Sequence, residues 1–146
     1  MTLEDSALDA RDPGVDIGRA ELATGLSCSD LTDAMGRRHN HRAHLTGLVS
    51  PVPSRVLFGR VVTISFFPAC RSRLNPDDFS FGRLFHEAVS GGVGDPAHTV
   101  LVMASNGHTA TSLAGGTKLS RVATAGLAGV LTDGRLRDFD ELVTEP

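Results

Sequence analysis

Two short apolar runs with one helix-length segment between them set the architecture of this chain. Residues 99–104 (TVLVMA) are almost continuously apolar, the pattern of a strand buried on both faces. Residues 117–125 carry apolar positions at helical spacing and stop at Gly126. Residues 127–132 are apolar again. Strand, loop, helix, strand is a βαβ unit at 99–132, so at least part of the sheet is expected to be parallel. A further strand is expected in 56–67 (VLFGRVVTISFF), which is β-branched and aromatic, and an amphipathic helix over 79–89. The fold class is therefore α/β.

The rest of the chain sets limits on this unit. Its 146 residues suit one domain, expected over 17–146. Residues 1–16 are polar, carry Glu4, Asp5, Asp9, Asp12 and Asp16, and are expected to form a flexible start. A helix is expected near 18–24. A second follows Ser27, with Leu31, Ala34 and Met35 as its apolar stripe and Gly36 as its stop. The net charge of -3 leaves no basic field, so no nucleic-acid partner is expected. The longest largely apolar run, 61–69, is far below the ~20 residues of a membrane span, and nothing at the start reads as a secretory leader. A cytoplasmic protein with no membrane partner is expected.

Two features of the βαβ unit converge at one end of the sheet. Gly115-Gly116-Thr117-Lys118 opens the helix. Free N–H groups and the helix dipole there attract an anion, and the glycines admit a close approach. Arg137-Asp138 follows the last strand. Arg137 has the geometry to clamp a carboxylate through two hydrogen bonds, and Asp138 is a ligand type for a hard cation. Either feature alone is ordinary surface chemistry; their convergence points to a site.

The segment GGTKLSRVATAGLAGVLTDGRLRDFDEL resembles the core motif of the family that joins the regulator of ribonuclease E activity A to 4-hydroxy-4-methyl-2-oxoglutarate aldolase. Gly115, Gly126, Gly129, Asp133, Gly134, Arg137 and Asp138 match its spacing, and residues 26–37 and 59–63 are similar to its opening helix and a strand. The resemblance implies a swivelling β/β/α-type, aldolase-like domain, a homo-oligomer (a trimer or a multiple), and sites between subunits. It implies a Mg2+- or Mn2+-dependent aldolase that also decarboxylates oxaloacetate. Carried over, Gly115, Gly116, Thr117 and Lys118 would bind the carboxylate of a 2-keto acid. Arg137 would bind the same unit and steady an enolate, and Asp138 would hold the metal. The chemistry is consistent, since carbon–carbon cleavage beside a 2-keto acid yields an enolate that cations stabilise. Family members continue beyond this motif, so a shortened or diverged member is expected. The expected function is a metal-dependent carbon–carbon lyase. The alternatives are a diverged enzyme of specialised metabolism on the same scaffold and a non-catalytic regulator that binds a protein partner such as a ribonuclease.

Other residues carry less. His108, in the loop before the Gly115 helix, is a candidate general acid/base for the leaving group. His39, His41 and His44 have polar neighbours, which fits a solvated loop better than a metal site. His86 reads as structural. Cys28 and Cys70 lack CxxC spacing and are expected to be small buried residues. Asp77 and Asp78 read as a turn and helix cap. Lys118 is the only lysine among 14 basic residues. It is ranked as a fixed charge at the anion site ahead of a Schiff-base nucleophile.

Overall fold

The computed structural model describes Glu21 and residues 25–40, 44–67, 73–75, 77–91 and 94–144. The expected flexible start at 1–16, most of the expected helix at 18–24, His41 and Cys70 lie outside these residues.

Helix α1, Cys28–Gly36, is closed at its start by a capping box. The Asp30 N–H donates to Ser27 Oγ at 3.1 Å and the Ser27 N–H to Asp30 Oδ2 at 2.8 Å. None of its residues is buried, and Cys28 is exposed, contrary to the expectation of a buried thiol. Its sequence position just behind the cap leaves it on the first turn of a helix that the described residues do not bury.

Strand β1, Arg60–Ser65, is shorter than the 56–67 expected. Just before it, Gly59 packs where a Cβ would collide with the backbone carbonyl of His98. Helix α2, Phe81–Ser90, is capped by Ser80, whose hydroxyl accepts from the Arg83 N–H. The cap is thus Ser80 and not Asp78, which instead pairs with Arg83 at 2.9 Å and accepts from Asn75. A short 3-10 turn, Pro96–His98, leads into β2, Thr99–Ala104. Then follow β3 (Ser112–Ala114), α3 (Gly116–Thr124), β4 (Gly129–Thr132), β5 (Arg135–Leu136) and α4 (Glu141–Thr144).

One sheet has the order β1-β2-β4, all parallel, with Val62 opposite Leu101 and Leu101 opposite Val130. β2 is central, which is why its sequence is apolar on both faces. Leu101 and Met103 are fully buried, at 0% exposure. The core adds Ile64 from β1, Phe85 from α2, Leu113 and Ala114 from β3 and Val122 from α3. Burying side chains of this size stabilises by about 1.5–3 kcal/mol each. α3 stops as expected, at a left-handed Gly126 with φ of 72°.

A second, two-stranded parallel sheet pairs β3 with β5. Two or three residues are too few to show periodicity, so neither strand is visible in the sequence. Polar ties join the ends of β2 and β4, just before the chain enters the loops that lead to the ribbon. The buried Ser105 donates from its N–H to Asp133 Oδ1 at 2.6 Å and from its hydroxyl to Oδ2 at 2.9 Å. Thr132 Oγ1 donates to the Met103 carbonyl at 2.9 Å. The Ser105 N–H holds the Asp133 carboxyl below its usual range.

Candidate functional site

The β3–β5 ribbon delivers the two sequence features to one place. Because the strands are parallel, their C-terminal ends lie side by side, and the Arg137 N–H donates to the Ala114 carbonyl at 2.9 Å. What leaves β3 is Gly115-Gly116; what leaves β5 is Arg137-Asp138. The sequence argument assigned this convergence to the main sheet; the short ribbon achieves it.

Together these residues line a pocket of about 230 Å3, closed by Ser112, Leu113, Ala114, Gly115, Gly116, Thr117, Lys118, Arg137 and Asp138. Every expected substrate-binding residue is on its wall, as are Arg137 and Asp138. His108 is not. It is exposed in the 105–111 loop, its backbone bonded to Ser105 and Thr111. His39 and His44 are also exposed and line no part of the pocket.

The helix end is not entirely free for an incoming anion. Asp138 adopts a left-handed backbone with φ of 60°, and its Oδ2 accepts from the Gly116 N–H at 3.1 Å. The chain's own carboxylate therefore takes one donor that the sequence reading gave to substrate. Lys118 and Leu119 donate to the Gly115 carbonyl. The Thr117 N–H is left as the first-turn donor with no acceptor among the described residues. Gly115 lets these side chains come close: a Cβ there would lie 2.8 Å from Asp138 Oδ2 and 3.3 Å from Arg137 Nε, so a larger residue would displace the Asp138 carboxylate.

Lys118 sits at the back of the pocket, half-buried. Its Nζ donates to the Leu113 carbonyl at 2.6 Å and lies 4.6 Å from the Phe66 ring centre and 5.0 Å from that of Phe81. Burial, reinforced by the positive charge of Arg137, pushes its ammonium below the usual lysine range. Arg137 is exposed and makes no ion pair among the described residues. With Lys118, Arg137 and Asp138 on its wall, the pocket carries a net charge near +1 and favours a small anion.

The donor set sets the limits of a metal at this site. Among the described residues no three His, Cys, Asp or Glu side chains converge. Asp138 is the one acidic residue of the pocket, and its Oδ2 is engaged by Gly116. A single carboxylate fits magnesium or manganese, hard ions that keep waters and share substrate oxygens. It does not fit zinc, which takes three or four protein ligands.

A mixed α/β domain with parallel strands, whose small pocket is lined where two strand ends meet, is the class that fold and site define. Residues 28–145 match the family model RraA-like, described as Aldolase/RraA, and the chain belongs to that family. The family includes both aldolases and regulators. No curated protein and no solved structure matches the chain. No helix among the described residues is long and apolar enough to cross a membrane.

Sequence reasoning missed two parts of the site. The Asp138 bond to Gly116 depends on a left-handed residue for which an Asp before Phe gives no signal. The placing of Lys118 against Phe66 and Phe81 joins residues far apart in sequence.

Proposed function

We propose that the chain is a divalent-metal-dependent carbon–carbon lyase acting on a small 2-keto acid, by aldol cleavage or decarboxylation through an enolate. The observation that carries this reading is the meeting of Arg137, Asp138 and the start of α3 on one small, positively charged pocket. Arg137 would grip the acid's carboxylate through two parallel hydrogen bonds, with the Thr117 N–H as a further donor. Asp138 would hold magnesium or manganese, which when bound polarises the keto oxygen as a Lewis acid. As the carbon–carbon bond breaks, its electron pair passes into the enolate. Arg137 and the Lys118 ammonium face that developing charge and would stabilise it. The same reading carries a swivelling β/β/α architecture, assembly as a trimer or its multiple, and a cytoplasmic setting.

The regulator reading rests on a different observation, the exposed apolar residues Leu45, Val49, Val56 and Val61, which would suit a protein partner. Activity separates the two. Purified protein with magnesium or manganese is expected to decarboxylate oxaloacetate, and a chelator to stop it. Asp138→Ala should abolish turnover with the circular dichroism spectrum retained. Arg137→Lys should lose roughly two to three orders of magnitude, about 3–4 kcal/mol, because a point charge does not reproduce the planar clamp. Borohydride with pyruvate should leave Lys118 unmodified. Activity that survives the chelator while Lys118 is labelled would overturn the metal mechanism. No turnover of any 2-keto acid would transfer the case to the regulator or to a diverged enzyme on the same scaffold.

A further inference from the structure

Beside the small pocket lies a much larger open groove of about 1060 Å3 between β1 and α2. Its walls are mainly aromatic and aliphatic, with Phe66, Phe67, Phe79, Phe81, Leu74 and Leu84 supplying most of the surface. The two cavities adjoin, since Ser112, Leu113 and Lys118 line both. Among the described residues, two charged side chains face the groove. Lys118 stands at the junction, its ammonium fixed over Phe66 and Phe81 by the Leu113 carbonyl. Glu87 projects from an exposed position on α2.

We infer that this groove is a tail subsite: the chain selects monocarboxylic 2-keto acids bearing an uncharged aryl or branched alkyl substituent over dicarboxylic ones. The inference rests on the 2-keto acid reading of the small pocket and names the substrate class within it. Three observations converge. Both cations that attract the acid head, Arg137 and Lys118, lie in or beside the small pocket, so the charged end of a ligand belongs there. The space beyond Lys118 offers apolar walls, where burying hydrocarbon is favourable and burying a carboxylate without a partner is costly. The groove's other charge, Glu87, repels a second carboxylate at the tail. Phe66 and Phe81 serve both ends, contacting the ammonium and lining the groove.

The test is calorimetric binding to the full chain in magnesium, with phenylpyruvate, pyruvate and oxaloacetate as probes. Phenylpyruvate should bind at least tenfold tighter than pyruvate, and oxaloacetate no tighter than pyruvate. Ser65→Glu places a charge at an exposed groove position of β1. It should remove the phenylpyruvate advantage and leave pyruvate affinity unchanged. Glu87→Lys should raise oxaloacetate affinity severalfold. Equal binding of phenylpyruvate and pyruvate would overturn the tail subsite while the small-pocket reading stands. Failure of all three acids to bind would overturn both. If Ser65→Glu instead converts an oligomer to a monomer by light scattering, the groove is covered by a second copy and the inference is wrong.

Discussion

Residues 25–58 and residues 99–138 are two regions of one chain held in opposite ways. Of the buried side chains described, all but Ile64 and Phe85 fall within 99–122. Among the described residues of 25–58 none is buried, and Val49 and Val56 are 80% and 76% exposed. The later region is held by long-range packing and by ties such as Ser105 to Asp133. What holds α1 is local, its capping box, and its apolar residues Leu31 and Met35 stay exposed. Isolated helices shorter than about 12–15 residues are marginal in water, so a nine-residue α1 needs a covering surface. The contrast teaches that the site region is held by a buried core shared with β1 and α2, while the earlier region has the exposed apolar residues of a contact face.

The largest effect that would test this contrast is in the centre of the sheet. Leu101→Ala should cost about 2–5 kcal/mol, read by urea denaturation, because a fully buried strand position cannot collapse around the loss. Val56→Ser, made as its counterpart, should leave the stability of a dissociated chain within about 0.5 kcal/mol. A comparable loss at Val56 in the dissociated chain would break the comparison.

Association is the next test. Wild-type protein is expected to run as a trimer or its multiple in light scattering at micromolar concentration, and Val49→Asp with Val56→Asp to shift it toward monomer. A monodisperse wild-type monomer would leave the exposed face to another partner.

Removing the α1 cap is smaller. Ser27→Ala should cost about 1 kcal/mol, and amide exchange should show it confined to α1. A global change instead would mean that α1 is packed as tightly as the core.

The smallest effect is in acid. Ser105 depresses the Asp133 carboxyl, so the folded state binds that proton less readily than the unfolded one. Its contribution is present above the ordinary carboxyl value of 3.8 and is lost as pH falls through the lower folded value. Asp133→Asn should therefore flatten the dependence of stability on pH below about 4, relative to wild type.

What the sequence made legible follows the same division. Strong patterns in 99–132 indicated two parallel strands around α3 and the stop at Gly126, and the structure has them. The pairing of Gly115 with Arg137-Asp138 was also readable, because both features abut strong elements. The reading erred where a tertiary contact decides. β1 begins at Arg60, after a Gly59 at which a Cβ would meet the His98 carbonyl, and no local pattern marks that close approach. His108 was a candidate by its place in the chain, yet the loop leaves it exposed outside the pocket. Ser112–Ala114 and Arg135–Leu136 pair only because the main sheet brings them together.

That small ribbon has a consequence for how the protein tolerates change. The bonds that bring its strand ends together are main-chain bonds, so they do not depend on which side chains Ser112, Arg135 and Leu136 carry. Substitutions at the exposed strand positions Ser112 and Arg135 can accumulate without moving Arg137 relative to α3, while Leu113 and Ala114 stay fixed by the core. The frame of the pocket is thus nearly independent of its lining. A lineage built on this chain is free to exchange the chemistry of the wall, and with it the ligand, while inheriting the same scaffold.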